Sequence, residues 1–131
     1  MQSASPVAYA PYLRQRPLAG LKPKRIIVQF AKGDQTVPNP ATTAMVRAGG
    51  LRDQTTFYRH DLAFLENPAL SKDPHGFMPV IRVFGAIARG AQEQVVVFFD
   101  SDGELVIHPE PGRFFEVPIT GPLPENLNFI R

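Results

Sequence analysis

The stretch that most constrains this chain is RIIVQFA at residues 25–31, followed at once by the polar turn Gly33-Asp34-Gln35-Thr36 and then by Asn39-Pro40. A continuous apolar run bounded by a turn reads as a strand buried on both faces, the habit of parallel sheets. Asn39 and Pro40 supply a cap and a first-turn proline for a helix. Over residues 41–48 the apolar positions Ala41, Ala44, Met45 and Ala48 keep helical spacing, and Gly49-Gly50 marks the stop. Residues 55–60, rich in β-branched and aromatic side chains, predict a second strand. Strand, helix, strand makes one βαβ unit with a right-handed crossover. The carboxyl ends of adjacent parallel strands lie side by side. Asp34, after the first strand, and His75, in the loop leaving the second, are therefore expected at one edge of the sheet.

One domain is expected over residues 1–131, with a helix and connector over 1–24, a core over 25–103 and an extended tail over 104–131. Residues 5–13 suit one or two helical turns, with Ser5 as cap and Pro6 at the first position. Residues 61–78 read as a long irregular loop, a length more often functional than idle. Residues 80–99 carry a helical stripe, Ile87, Ala91, Val95 and Phe98, beside a strand-like run at 95–99. Length and the βα alternation favour a helix over 86–99 with Gly103 as its stop. The 14 prolines gather toward the two ends, so the tail is expected to run as a surface strap or hairpin with short strands at 105–108 and 114–117.

Composition removes several classes of function. A net charge of +2 is too small and too scattered for a nucleic-acid surface. Absence of cysteine leaves no disulfide framework, thiolate nucleophile or Cys-based zinc site. No window approaches a membrane span, and the first residues lack the charged-then-apolar order of a secretion signal, so no compartment is indicated. The 3 histidines lack metal-ligand spacing, and no GxGxxG or P-loop is present, so neither metal nor cofactor is expected.

The chemistry concentrates at Asp34 and His75. Pro74 before the histidine and Gly76 after it allow the imidazole to be held at a fixed angle. As a pair, Asp34 would accept from one ring nitrogen and fix the tautomer, while the other nitrogen would take a proton from a nucleophile and return it to a leaving group. The same residues also fit a surface histidine in a turn and an ordinary Asx turn. His60 is expected to cover the sheet edge, and His108 lies in the tail. Of the 4 serines, Ser3, Ser5, Ser71 and Ser101, none lies in G-x-S-x-G. Ser71, close to His75 in the chain, is the local candidate for a nucleophile.

Taken together, SPVAYAPYL at 5–13, KRIIVQFAKGDQTVPNPATTAMVRA at 24–48, TTFYRHDLAF at 55–64, DPHGF at 73–77 and GAIARGAQEQVVVFFDSDG at 85–103 resemble the C-terminal half of α/β hydrolases. The resemblance is greatest to bacterial esterases and lipases of the extracellular-lipase type and covers nearly the whole chain. It implies a truncated α/β-hydrolase fold in which Asp34 is the acid and His75 the base of a carboxylic-ester hydrolase acting on small acyl esters. The strands that carry the nucleophile elbow and the oxyanion donors in that family would lie upstream of Met1. The strand at 26–30 would then lack one neighbour. A homo-oligomer closing that edge through residues 26–30 or the tail strands is the expected consequence. Two other readings fit the missing elbow: a non-catalytic remnant that self-assembles or pairs with a separate N-terminal half, and a small α/β binding module.

Overall fold

The computed structural model describes residues 5–131, and Ser3 lies outside the described residues. Helix α1 (Pro6–Leu13) begins on Pro6 after Ser5, whose side chain makes no capping bond. A connector leads to strand β1 (Val28–Ala31), shorter than the expected 25–31 because pairing with the next strand starts only at Val28. Helix α2 (Asn39–Gly49) follows, and Gly50 ends it in the left-handed region, with φ 60°. Strand β2 (Thr55–Tyr58) is wholly buried and pairs with β1 in parallel, Phe30 opposite Phe57 and Ala31 opposite Tyr58.

Mixed α/β architecture is what the structure has, with a small sheet in the order β1-β2-β3. Strand β3 (Phe115–Glu116) comes from the tail and runs antiparallel to β2. Of the two expected tail strands only this one forms. Residues 105–108 stay irregular, because the Ile107 carbonyl is taken by the side chain of Gln94 instead of by a neighbouring strand. Nor is the tail a surface strap throughout: Phe114, Phe115 and Ile119 are core residues, and only beyond Ile119 is no residue buried. Each fully buried side chain of this size contributes about 2 kcal/mol.

Three further expectations give way to local chemistry. Residues 61–78 are not wholly irregular, since helix α3 (His60–Glu66) occupies the first third; its Leu, Ala and Glu are good helix formers. The second strand accordingly stops at Tyr58, and His60 opens α3 instead of closing the strand. In α2 the buried positions are Asn39, Thr43, Val46 and Gly49, one step round from the expected stripe. The Thr43 hydroxyl is satisfied by donating to the Asn39 carbonyl, and Gly49 lets α1 approach, so small and self-bonded residues face inward.

Helix α4 (Ile81–Phe84) is a single turn, and α5 (Ala86–Asp100) covers the sheet close to the expected span. Ile87, Ala91 and Phe98 are buried as the stripe requires, but Val95 is only half-buried and Gln94 faces inward beside it. One face of the sheet, through Ala31, Tyr58 and Phe115, packs on α3, α4 and α5; the other, through Phe30 and Phe57, packs on Ile119 and Leu123. A polar network pins α5 to the first face. Gln94 accepts from Gln29 Nε2 (2.6 Å) and Thr56 Oγ1 (2.9 Å) and donates to the Ile107 carbonyl (2.6 Å). At Gly90 a β-carbon would overlap the Glu110 carbonyl oxygen, so the tail lies directly against α5 there.

Strand β1 stands at the sheet's edge. The Lys32 amide donates to the Tyr58 carbonyl (2.8 Å) and sets the phase of the ladder, so Val28, Phe30 and Lys32 turn toward β2. Ile27, Gln29 and Ala31 turn outward. Asn39 Nδ2 takes the Ala31 carbonyl, but among the described residues nothing pairs the outward backbone of Ile27 and Gln29. The tail strand sits on the far side of β2 and leaves this edge open.

Candidate active site

Two turns meet beyond the carboxyl ends of β1 and β2. The first begins at Gly33, with φ +80°, where a β-carbon would stand 2.6 Å from the Asn128 carbonyl oxygen. Its amide donates to Asn39 Oδ1 (2.9 Å), while Asn39 Nδ2 donates to the Ala31 carbonyl (2.6 Å). The Asn39 side chain therefore ties the end of β1 to the start of α2; it does not act as a simple helix cap. This fixes the direction in which Asp34 leaves the strand.

Asp34 is buried, and both of its oxygens are engaged. Oδ1 accepts from the amides of Thr36 (2.8 Å) and Val37 (2.7 Å), and Oδ2 lies 3.0 Å from His75 Nδ1. An ionised carboxylate only accepts, so Nδ1 carries the proton in this contact. The side chain of His75 is 49% exposed against 9% for Asp34, so the acid is enclosed and the imidazole open to solvent. Nε2 of His75 has no partner among the described residues. With Nδ1 held by Asp34 and Nε2 unbonded on a half-exposed ring, the arrangement leaves Nε2 able to accept a proton.

The second turn carries His75 and is held by Asp73. Asp73 Oδ1 accepts from the amides of His75 and Gln35, each at 3.1 Å, and Oδ2 accepts from Thr36 Oγ1 (3.2 Å). Partial burial alone would raise the Asp73 carboxyl, but the amides of Gln35 and His75 and the Thr36 hydroxyl outweigh it and hold its pKa below the usual value. The sequence reading did not single out this residue as functional. The signal for it was the Asp-Pro-His order, an acid two residues before the histidine.

Lys32, just past β1, and Arg59, just past β2, take part in an ionic cluster. Arg59 grips Asp61 with two bonds (2.9 and 2.8 Å) and reaches Glu116 (2.9 Å), and Lys32 Nζ stands 2.9 Å from Asp61. Burial pushes the Asp61 carboxyl up, and the bonds from Arg59 and Lys32 more than reverse this, bringing its pKa down to about 2.

The other expected candidates separate from the pair. Ser71 is exposed, and among the described residues no hydrogen bond links it to His75. Ser101 closes the end of α5, donating to the Phe98 carbonyl and accepting from the Leu105 amide. His108 is exposed in the tail. His60 does not cover the sheet edge: it is fully buried, its Nδ1 3.0 Å from the Tyr58 hydroxyl and its ring against Phe64 and Phe84. Burial holds the His60 pKa below its usual value, against the Ser71 backbone and the charges of Asp61 and Asp73. Among the described residues no cluster of His, Cys, Asp or Glu is built to hold a metal, and no helix is long and apolar enough to cross a membrane.

A parallel pair of strands with an acid beyond one and a histidine beyond the next defines an α/β protein with an Asp–His pair at its sheet edge. No family profile, curated protein or solved structure matches the chain.

Proposed function

We propose that Asp34 and His75 are the acid and base of a carboxylic-ester hydrolase of the α/β-hydrolase kind, acting on small acyl esters. The observation that carries this reading is the 3.0 Å contact between His75 Nδ1 and a buried Asp34 whose second oxygen is already held by two amides. In this role Asp34 keeps the Nδ1–H tautomer and stabilises the imidazolium that forms. Nε2 takes the proton of the attacking hydroxyl and returns it to the leaving alcohol. The nucleophile is a serine not identified in this chain. Ser71 is the local candidate, on a loop without the strained turn that would aim its oxygen.

The test is hydrolysis of p-nitrophenyl butyrate by the wild type and by His75→Ala, with fluorophosphonate labelling to locate a reactive serine. Loss of turnover in the variant supports the reading, and equal rates remove His75 from the chemistry.

The unpaired edge of β1 favours a second reading, in which the chain is a non-catalytic truncated hydrolase that assembles with itself or with a separate N-terminal half. An edge with no charge and no proline between Ile26 and Ala31 lacks the usual protection against strand pairing. A wild type that neither turns over ester nor labels, yet self-associates, would favour this reading.

A further inference from the structure

We propose that Asp73 is a positioning residue for the Asp34–His75 pair, setting the spacing between the two turns that brings the carboxylate onto Nδ1; the inference rests on reading that pair as acid and base. The bond from the His75 amide to Asp73 Oδ1 is, alone, what any Asx turn in an Asp-Pro-His sequence makes. The bonds to Gln35 and Thr36 are different, because they cross 38 and 37 positions of chain and have no local origin. One oxygen, Oδ1, serves both the amide of Gln35, the residue after Asp34, and the amide of His75 itself. The two loops are thus hung on a single acceptor atom. Oδ2 adds the Thr36 hydroxyl, and Gln35 Nε2 reaches the Lys72 carbonyl at 3.4 Å as a further strut.

The division of labour follows from which bonds survive without Asp73. Asp34 Oδ1 would keep the amides of Thr36 and Val37, so the acid would stay placed within its own turn. The histidine turn would lose its tie to that turn. His75 is half exposed and held to Asp34 by one contact, so its ring would then exchange the carboxylate for water.

The readout is the tautomer of His75, measured by long-range ¹H–¹⁵N spectra of uniformly labelled protein above the imidazole's titration. The wild type is expected to carry the neutral proton on Nδ1, opposite to the Nε2–H form favoured by an imidazole in water. Asp73→Ala is expected to return His75 to Nε2–H while the remaining amide spectrum is kept. Asp73→Asn retains a carbonyl oxygen for both amides and is expected to preserve Nδ1–H. Asp73→Glu keeps charge and polarity but moves the oxygens by one methylene, and is expected to lose Nδ1–H; it carries the test should the alanine variant not fold. A folded Asp73→Ala or Asp73→Glu protein that keeps Nδ1–H overturns the role of Asp73. A wild type already in the Nε2–H form overturns the Asp34–His75 pair itself, a separate failure.

Discussion

His75 Nδ1 lies 3.0 Å from Asp34 Oδ2, although 41 positions of chain separate the two residues. The contact is made by topology. Parallel pairing of β1 with β2 puts the strand ends together; the turn after β1 places Asp34, and the loop after α3, returning to the same edge, places His75. Asp34 is enclosed and His75 open to solvent, so the carboxylate lies against one ring nitrogen while the rest of the imidazole faces the surface.

Asp34→Asn should therefore leave the loop standing and remove its effect. The amide oxygen can still accept from Thr36 and Val37, but the Nδ1–H tautomer loses its anionic acceptor. Ester turnover is expected to fall by about 10³–10⁴-fold in kcat, with KM little changed. Steady-state kinetics on p-nitrophenyl butyrate check it, and a kcat within a few-fold of wild type would remove Asp34 from the mechanism.

Acid stability should report the Asp61 cluster. Its carboxyl titrates at about 2 in the folded protein, below its value in an unfolded chain, so the unfolded state takes up the proton first as pH falls. The stabilisation is present above about pH 4 and is lost as pH drops from there through about 2. With the Asp61 side chain 32% exposed, solvent screening limits the contribution to about 1–2 kcal/mol. Asp61→Asn should be less stable than wild type at pH 7 by that amount, and the gap should close by pH 2. Urea unfolding at the two values measures it; a gap that does not depend on pH would show that the charge of Asp61 is not what stabilises.

Much of this was legible in the chain because it rests on local patterns. The βαβ unit follows from an apolar run, a Gly-Gly stop and a β-branched run; α5 follows from its stripe; Asp34 follows from standing just past a strand end, and His75 from the Pro-His-Gly loop downstream of the second strand, although α3 stands between them. What escaped depends on partners distant in sequence. Asn39 looks like a helix cap and in fact spans Gly33 and Ala31. Thr43 and Gly49 face inward because one bonds its own helix and the other admits α1. The tail's prolines suggested a strap, yet Phe114 and Phe115 fill a core that the sheet and α5 leave open. Asp73 carried the signature of a plain turn, and its cross-loop bonds have no sequence signal at all.

Gln94 should prove far more sensitive than a helical glutamine usually is. Its fully buried amide joins β1, β2 and the tail to α5 through Gln29, Thr56 and Ile107. Truncation leaves the Thr56 hydroxyl and the Ile107 carbonyl without their partner in a closed space, and Gln29 Nε2 with the Ala91 carbonyl alone. Gln94→Ala is expected to cost about 3 kcal/mol. Gln94→Glu should be at least as harmful, since the carboxylate cannot donate to Ile107. Denaturant midpoints decide it, and a loss below about 1 kcal/mol for the alanine variant would mean the network adds little.

The open edge of β1 makes the last prediction. Ile27 and Gln29 turn their backbone groups away from β2, and residues 26–31, between Arg25 and Lys32, carry no charge to repel a second strand. Strand pairing between two copies would satisfy those groups and cover the half-buried Ile26 and Ile27. Wild type is accordingly expected to be a dimer or larger by light scattering at micromolar concentration. Ile27→Pro tests the cause. Residue 27 lies just before β1, so a proline there removes an outward donor while sparing the ladder from Val28 to Ala31. The variant should be monomeric with an unchanged circular dichroism spectrum. A wild type that is already monomeric, or a variant that still associates, would mean that β1 does not pair with a second copy.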